Sequence, residues 1–340
     1  MSQLNKKPTI KDVAAKAGVS VTTVSQILNH KGARFPTATH KQVRQAVADL
    51  GYVANFSARN TRLAVQRRTI GVLVPQIQNP FFANLFRGIQ DYLYDQAADT
   101  FLVSTDGDNV KAQQYMKQLI HRSVDGFIIA SQLDGQDPLL KKLRRLRIPY
   151  VLLDQNEGDQ AGDQIIVNER QGGQLVATHL AAVKQGPMIL VVPRQQSANI
   201  HLRIAAVKAE LARRQVEIAA IYQTSALEKS AGALTGRQIM QDFATAPHLT
   251  IWAVADEVAL GIIKAVRQAR KQIPENVKLM GYDDTDYADY LNLTTIHQPV
   301  VTIGREAAAL LQARLADPVR PRQVIVKPVT LVRRDSTSDD

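Results

Sequence analysis

Residues 9–29 read Thr-Ile-Lys-Asp-Val-Ala-Ala-Lys-Ala-Gly-Val-Ser-Val-Thr-Thr-Val-Ser-Gln-Ile-Leu-Asn, and this stretch predicts two short helices joined by a tight turn. Thr9 and Asp12 have the hydroxyl-to-acid spacing of a capping box, so the first helix is expected to begin there. Gly18 is expected to end it, because glycine readily takes the left-handed conformation that closes a helix. Ser20 is a suitable N-cap for the second helix.

The spacing across this turn is typical of a helix-turn-helix unit. Ala14 precedes Gly18 by four residues, and a small side chain there lets the second helix approach the first. Val24 follows Gly18 by six residues and is placed to hold the second helix against the first. A third amphipathic helix is predicted to begin at Thr37 or Thr39. The sequence therefore predicts a small three-helix head.

Positive charge is concentrated in the same part of the chain. The 340 residues include 42 Lys and Arg against 31 Asp and Glu, which gives a formal net charge of +11. Residues 1–68 hold twelve of the basic and two of the acidic residues, so they carry nearly all of the excess. A basic folded module attached to a nearly neutral remainder predicts a polyanion-binding protein. The alternative is a solvated basic tail.

The run over residues 9–29 closely resembles the head of the LacI/GalR family of bacterial transcription regulators. The segments Leu50-Gly51-Tyr52 and Asn55-x-x-Ala58-Arg59 are also similar to that family. The resemblance extends over essentially the whole chain. It implies a head that places the N-terminal part of its second helix in the major groove of DNA.

The resemblance identifies Val21, Thr22 and Gln26 as the main base-reading residues. A glutamine amide can bond an adenine edge at two atoms, and a valine suits a thymine methyl group. Other polar residues of the head are better placed for phosphates, which set position rather than sequence. They are Thr9, Ser20, Thr23, Ser25, Asn29 and Arg34. For Thr22 and Thr23 the alternative is ordinary helix surface.

A basic linker follows the head. In the family this segment forms a hinge helix when two subunits lie side by side on DNA, and a leucine enters the minor groove and kinks the duplex. Thr61 occupies the position where that leucine is expected, and Leu63 lies two residues further on. The linker residues expected at DNA are Asn55, Arg59, Thr61, Arg62 and Leu63. The alternative is a flexible basic tether.

After the linker, short apolar runs alternate with helical segments. Strands are predicted over 70–74, 101–104, 126–130, 149–153, 188–192, 249–254 and 277–281. Helices are predicted between them, over 82–97, 111–121, 169–184, 201–214 and 256–270. Nearly continuous apolar strands separated by helices indicate parallel sheets covered on both faces. The number of strands fits two α/β subdomains better than one sheet.

The predicted fold is an all-α helix-turn-helix head plus an α/β effector domain that resembles periplasmic binding proteins and has two parallel-sheet subdomains. We name its parts the head (residues 1–53), the linker (54–68) and the body (69–340). The first subdomain of the body is expected to take about 69–167 plus 300–328. The second is expected to take about 168–299 plus the C-terminal tail.

Motifs of common enzyme classes are missing from the sequence. It contains no glycine loop of a nucleotide site, no nucleophile elbow and no paired metal-binding histidines, so we expect neither an enzyme nor a cofactor. Cysteine is absent, which excludes disulfides and thiol chemistry. Asp283-Asp284-x-Asp286 lacks the glycine and the distal glutamate of a calcium loop. With no membrane-length apolar run and no signal peptide, a soluble cytoplasmic protein is expected.

Candidate effector-binding residues come from the resemblance of the body to the effector domain of the same family. They are Asn79, Phe81, Phe82, Asp154, Arg203, Trp252, Asp256 and Tyr282. Carboxylates such as Asp154 can accept hydrogen bonds from sugar hydroxyls, and Arg203 can donate in a fork. Phe81 can stack on a sugar ring.

Alternatives remain open for several of these residues. Asp256 can accept from a sugar hydroxyl or can simply stabilise the N-terminus of a helix. Trp252 and Tyr282 can line the pocket or lie in the core. Gly172-Gly173 indicates close helix packing rather than a phosphate cradle, and the preceding Asn168-Glu169 departs from the family pattern.

Together these features predict a homodimeric repressor that binds a palindromic operator and is controlled allosterically by a small molecule, a sugar or sugar derivative. By analogy with the family, dimer contacts are expected from the helix over 82–97. A purine base or a protein corepressor is an alternative effector. The rival interpretation is a cytoplasmic sugar-binding, or sugar- or nucleotide-modifying, α/β protein with a head that binds nucleic acid non-specifically.

Overall fold

The computed structural model describes residues 8–28, 34–50, 52, 67–131, 137–153 and 161–338. Contacts divide the chain into two compact units, Met1–Gln66 and Arg67–Asp340. The first unit contains the head, and the second contains the body. No helix within the described ranges combines the length and the apolar character that a membrane crossing needs.

The described part of the head consists of α1 (Ile10–Ala17), α2 (Val21–Leu28) and α3 (Thr37–Leu50). The N–H of Thr9 donates to Asp12 Oδ2 over 2.6 Å, which gives the capping box at the start of α1. Gly18 ends α1 with a left-handed φ of 66°. The N–H of Thr23 donates to Ser20 Oγ over 3.0 Å at the start of α2. The helices enclose a core of Val13, Ala14, Val24, Ile27, Val43 and Ala46.

The body alternates strands and helices. Its strands are β1 (Thr69–Val74), β2 (Asp99–Ser104), β3 (Gly126–Ile129), β4 (Tyr150–Leu153), β5 (Asp163–Val167), β6 (Met188–Pro193), β7 (Ile218–Thr224), β8 (Leu249–Ala253), β9 (Val277–Met280), β10 (Thr295–His297), β11 (Val324–Lys327) and β12 (Thr330–Val332). Its helices are α4 (Pro80–Asp95), α5 (Asn109–His121), α6 (Pro138–Leu146), α7 (Glu169–Val183), α8 (Ala198–Arg213), α9 (Lys229–Asp242), α10 (Asp256–Gln268), α11 (Asp286–Tyr290) and α12 (Val300–Ala316).

Two parallel sheets organise the body into two lobes. The first lobe contains a six-stranded sheet in the order β11-β5-β4-β3-β1-β2, and the second contains a four-stranded sheet in the order β7-β6-β8-β9. Both faces of the first sheet are covered, since Ile128 of β3 lies in one apolar cluster while its neighbours Phe127 and Ile129 lie in another. This arrangement explains why central strands such as β3 and β4 are apolar throughout.

The chain passes between the lobes three times. It leaves the first sheet after β5 to form α7, it returns after β10 to form α12, and it leaves again after β11 to form β12. β12 pairs antiparallel with β10. In the first lobe α12 packs closely on α4. A side chain at Gly88 would lie only 2.1 Å from the carbonyl oxygen of Val301, so only glycine fits between the two helices. Glycine therefore sets the spacing of these two helices.

All seven predicted strands are present within two residues of their expected bounds, and the fold class is confirmed. The prediction missed β5, β7, β10, β11 and β12. β7 and β11 are edge strands whose residues alternate between more and less exposed positions, so they lack the continuous apolar run that marks the central strands. β10 and β12 have three residues each, which is too short for a periodic pattern.

Candidate functional site

The N-terminal surface of α2 presents the residues expected to read bases. Val21 and Thr22 are exposed, and Gln26 is half-buried. Arg34 Nη2 donates to Gln26 Oε1 over 2.7 Å. This bond uses one lone pair of the amide oxygen, so the oxygen can still accept from adenine N6 while an amide N–H donates to adenine N7.

Several residues expected at phosphates also have structural partners. Ser20 Oγ and Thr23 Oγ1 lie 2.9 Å apart, and the Thr9 hydroxyl donates to Asp12 Oδ2 over 2.7 Å. Ser25 is half-buried on α2. The guanidinium of Arg34 lies 5.1 Å from the centre of the Phe35 ring. The remaining expected DNA contacts lie outside the described residues; they are Asn29, Asn55, Arg59, Thr61, Arg62 and Leu63.

A cavity of about 970 Å³ lies between the two lobes of the body. In the first lobe, the segments after β1, β2 and β3 line it, together with the last residues of β2, β4 and β5. In the second lobe, the segments after β6, β7, β8 and β9 line it. The cavity therefore occupies the carboxyl edges of both parallel sheets, which is where open α/β sheets bind ligands.

The first lobe supplies an aromatic corner to this cavity. Asn79 Oδ1 accepts from the N–H of Phe81 over 2.9 Å and so caps α4. This cap fixes the start of the helix, where the rings of Phe81 and Phe82 pack edge to face with their centres 5.1 Å apart. All three expected residues line the cavity. Apolar side chains such as Leu153 and Val167 continue this wall.

The second lobe supplies a buried arginine. Arg203 is 2% exposed and donates to Glu169 through Nε, over 2.8 Å, and through Nη2, over 2.7 Å. Its Nη1 donates to the carbonyl oxygen of Val254 over 2.8 Å. The guanidinium stacks on the Tyr282 ring, 3.5 Å from its centre. Arg203 lines the cavity, as expected, but its charge is already paired with Glu169.

Asp283 and Gln298 lie beside this arginine and also line the cavity. Gln298 Nε2 donates to Asp283 Oδ1 over 2.7 Å, and Arg203 Nη1 lies 3.8 Å from the same oxygen. Burial raises the pKa of Asp283 well above its usual range, against the lowering effect of Arg203. Gln298 Oε1 is buried and has no hydrogen-bond partner among the described residues. That oxygen can accept a hydrogen bond from a ligand hydroxyl.

The structure places three expected ligand contacts elsewhere. Asp256 does not line the cavity; it is fully buried and accepts hydrogen bonds from the N–H of Thr285 (2.8 Å) and the hydroxyl of Thr295 (2.7 Å). Burial raises the pKa of Asp256 to about 7, although these hydrogen bonds oppose the rise. Trp252 and Tyr282 are fully buried core residues that do not line the cavity either. Asp154 lies outside the described residues.

The glycine pair is explained by the same cluster. The Tyr282 hydroxyl donates to Glu169 Oε2 over 2.9 Å, and a side chain at Gly172 would lie 2.0 Å from that hydroxyl. A side chain at Gly173 would lie 2.5 Å from the Cβ of Ala206. Gly172-Gly173 therefore serves close packing, as its sequence predicts.

Sequence reasoning did not identify Glu169, Asp283 or Gln298 as site residues. Asp283 could have been found, because it follows a predicted apolar strand and parallel strands present their ligands at that end. Glu169 and Gln298 carry no such signal, since only the fold brings them to Arg203. Groups of three or more metal-binding side chains are absent from the described part of the chain.

A helix-turn-helix head, together with a ligand-sized cavity between two parallel α/β lobes, defines a DNA-binding regulator that responds to a small molecule. Residues 9–55 match the family described as bacterial regulatory proteins, lacI family, and residues 177–337 match a periplasmic binding protein-like domain. The chain belongs to the LacI family; its members are transcription regulators rather than enzymes.

Relatives of known identity cover nearly all of the chain. It is 31% identical over 336 residues to the HTH-type transcriptional repressor PurR of Photobacterium profundum, covering 97% of this chain and 99% of the relative. The crystal structure of a LacI family transcriptional regulator from Enterococcus faecium with bound ribose is 33% identical and superposes with a TM-score of 0.72, over 80% of this chain and 99% of that one. The lac repressor dimer bound to operator and the anti-inducer ONPF is 26% identical with a TM-score of 0.73, over 98% and 99% of the two chains.

Proposed function

We propose that this protein is a repressor that binds a palindromic operator as a homodimer and responds to a sugar or sugar derivative. The observation that carries the proposal is the cavity of about 970 Å³ between the lobes, in a chain whose head has helix-turn-helix geometry. The ribose bound to the Enterococcus faecium relative supports a sugar as the ligand.

The chemistry of the cavity supports this ligand class. A sugar presents an apolar ring face together with hydroxyls in several directions. Phe81 and Phe82 supply an aromatic surface in the first lobe, where a ring face can pack. Arg203, Asp283 and Gln298 supply donors and acceptors in the second lobe. A ligand held by both groups connects the two lobes.

Regulation follows from that connection. We infer that the ligand and the operator favour different relative orientations of the lobes, which are the predicted subdomains over about 69–167 plus 300–328 and about 168–299 plus the tail. Rotation would take place at the three chain passages between them. Such coupling is typically worth about 1–3 kcal/mol. The linker over 54–68 would transmit the change to the head.

A dimer is supported by the surface of α4. Tyr94 lies on this helix and is 79% exposed, so the helix presents an aromatic side chain that a second subunit would cover. The dimeric state of the lac repressor relative supports the same arrangement. Two heads would then read two half-sites about 10 base pairs apart, or a multiple of that spacing. As a DNA-binding regulator, the protein would act in the cytoplasm.

The DNA part of the proposal is tested by selecting duplexes from a random pool with the full-length protein at moderate salt. The expected result is enrichment of an inverted repeat, with an affinity that falls steeply as salt rises. A protein that lacks residues 1–68 should lose duplex binding. Retention of binding by that truncated protein, or enrichment of no repeat, would overturn the DNA-reading role.

The effector part is tested by calorimetric titration of the full-length protein with free sugars, beginning with ribose, and with purine bases. A bound sugar should change the affinity for the selected operator by roughly 5- to 150-fold. Binding of a purine base without binding of any sugar would overturn the sugar assignment and leave the DNA-binding role intact.

A further inference from the structure

One of the described residues that line the cavity is a buried cation, Arg203, and Glu169 already neutralises its charge. Glu169 is 3% exposed and accepts two charge-assisted hydrogen bonds from Arg203. With the bond to the carbonyl oxygen of Val254, these contacts use three of the five N–H donors of the guanidinium. Two donors remain for a neutral ligand, but the positive charge is balanced within the protein.

The other charged side chains that line the cavity in the described ranges are acidic. Asp283 lies beside Arg203, and Asp106 and Glu228 lie further along the wall. Asp106 is paired with Lys111 over 2.8 Å, and Glu228 accepts from the amide of Gln76 over 2.9 Å. A ligand phosphate in this cavity would meet acidic side chains, with no spare cation in the described lining to balance it.

Gln298 Oε1, which has no hydrogen-bond partner among the described residues, also favours an uncharged ligand that carries hydroxyl groups. A buried amide oxygen needs a hydrogen-bond donor, and a ligand hydroxyl supplies one. A phosphate dianion carries acceptors only. Asp283, 8% exposed and facing the cavity, likewise suits a hydroxyl donor.

We propose that the cleft selects an uncharged, hydroxyl-bearing ligand and rejects its phosphorylated form, with Glu169 as the positioning residue that cancels the charge of Arg203. This inference rests on the proposed effector function of the cleft and assigns the charge class of the ligand. It implies that the regulator senses a free sugar before a kinase acts on it, rather than the phosphorylated product.

The first experiment compares matched ligands on the full-length wild-type protein by calorimetry. The pairs are ribose with ribose 5-phosphate and glucose with glucose 6-phosphate, and inorganic phosphate is titrated alone. For any free sugar that binds, its phosphate ester should bind roughly 100-fold more weakly, because placing like charges together is costly in a buried site. A phosphate ester that binds as tightly as its free sugar overturns the inference, while the proposed function stands.

The second experiment tests Glu169 directly and does not depend on which sugar binds. Glu169→Gln removes the carboxylate that pairs most closely with Arg203, so inorganic phosphate should bind this variant at least about tenfold more tightly than wild type. The matched control is Glu210→Gln, which removes a carboxylate that accepts from Arg213 and Arg214 outside the cavity. This control should leave phosphate affinity unchanged.

The outcomes separate the two proposals. If no free or phosphorylated sugar binds wild type, the effector function fails, and the phosphate titrations of Glu169→Gln and Glu210→Gln still decide whether Glu169 cancels the charge. Equal phosphate binding by wild type and Glu169→Gln overturns the role of Glu169. If Glu169→Gln does not fold, as shown by circular dichroism, phosphate and phosphate-ester titrations of wild type decide: tight binding of either overturns the inference.

Discussion

The polar side chains expected to function in the head lie on its surface, whereas several charged side chains of the body are buried in its interior. The core cluster of the head consists of six apolar residues, and its expected DNA-reading side chains lie on the outside of α2. The body instead buries charged groups, among them Arg203, Glu169 and Asp256. A surface residue can take its role from its position on a helix, whereas a buried charge takes its role from its partner. The two regions therefore respond differently to substitution.

Arg203→Ala is expected to give the largest effect, because it leaves Glu169 buried without its cation. Removing one partner of a buried pair typically lowers the free energy of unfolding by about 3–5 kcal/mol. Sugar binding should be lost as well. Urea unfolding and calorimetric titration measure the two effects.

The control for this prediction removes both charges. A double variant, Arg203→Met with Glu169→Leu, should be more stable than Arg203→Ala, since both charges of the pair are gone, while the Tyr282 hydroxyl and the Val254 carbonyl still lose their partners. Ligand binding should stay lost. A single variant that costs less than about 1 kcal/mol would show that the pair behaves like a surface ion pair, contrary to its burial.

Asp256→Ala separates a structural carboxylate from a ligand-facing one. The substitution leaves the N–H of Thr285 and the hydroxyl of Thr295 without their acceptor, so the free energy of unfolding should fall by about 2–4 kcal/mol. Asp283→Ala, the matched variant, removes a carboxylate that faces the cavity and should weaken ligand binding more than it destabilises the fold. If Asp256→Ala weakened ligand binding without changing stability, a direct ligand role for Asp256 would be restored.

The head could be predicted from sequence almost completely, because its signals are local. The Thr9 to Asp12 spacing gave the capping box, and Gly18 gave the left-handed end of α1. Central strands such as β3 and β4 were equally accessible, since burial on both faces makes them apolar throughout, whereas the central strand β5 begins with Asp163 and Gln164 and was missed. The edge strands β7 and β11 were not, because their residues alternate between more and less exposed positions.

The cleft could be predicted only in part, because its chemistry depends on residues far apart in the chain. Asn79, Phe81 and Phe82 lie at the start of the segment that follows a predicted strand, so their place at its carboxyl edge was accessible. Whether a carboxylate faces a ligand or a threonine is decided by tertiary contacts. Asp256 and Asp283 follow neighbouring strands, yet only Asp283 lines the cavity. Gly281 leaves room for the buried carboxylate of Asp256, since a side chain there would lie 2.2 Å from Asp256 Oδ1.

His179 makes the stability of the body depend on pH. Burial, together with the cations Arg333 and Lys278, lowers the pKa of His179 to about 4, from an ordinary value of 6.5. The neutral ring therefore favours the folded state. This stabilisation is complete above pH 6.5, falls as the pH drops toward 4, and amounts to about 2–3 kcal/mol.

The measurement compares urea unfolding of wild type and His179→Gln between pH 7 and pH 4. The variant should show a smaller loss of stability than wild type over this range. Asp256 acts in the opposite sense, because its raised pKa favours the folded state at low pH, and the difference between the two proteins removes that common contribution. The matched control is His201→Gln, an exposed residue on α8, which should follow wild type. Parallel curves for His179→Gln and wild type would contradict the prediction.

Gln26→Ala should give the smallest of these effects, and it tests the outer surface of the head. The variant should fold normally and lose about 1–2 kcal/mol of preference at one operator position, the lower part of the range for a two-point contact, because Arg34 already holds the amide oxygen. Competition binding with operators altered at single positions measures this loss. Gln42→Ala removes an equally long side chain that is exposed on α3 and should change no base preference. An equal loss of affinity on every sequence would instead assign Gln26 to the phosphates, and the contrast between a surface that reads bases and an interior that binds ligand would then rest on Val21 and Thr22 alone.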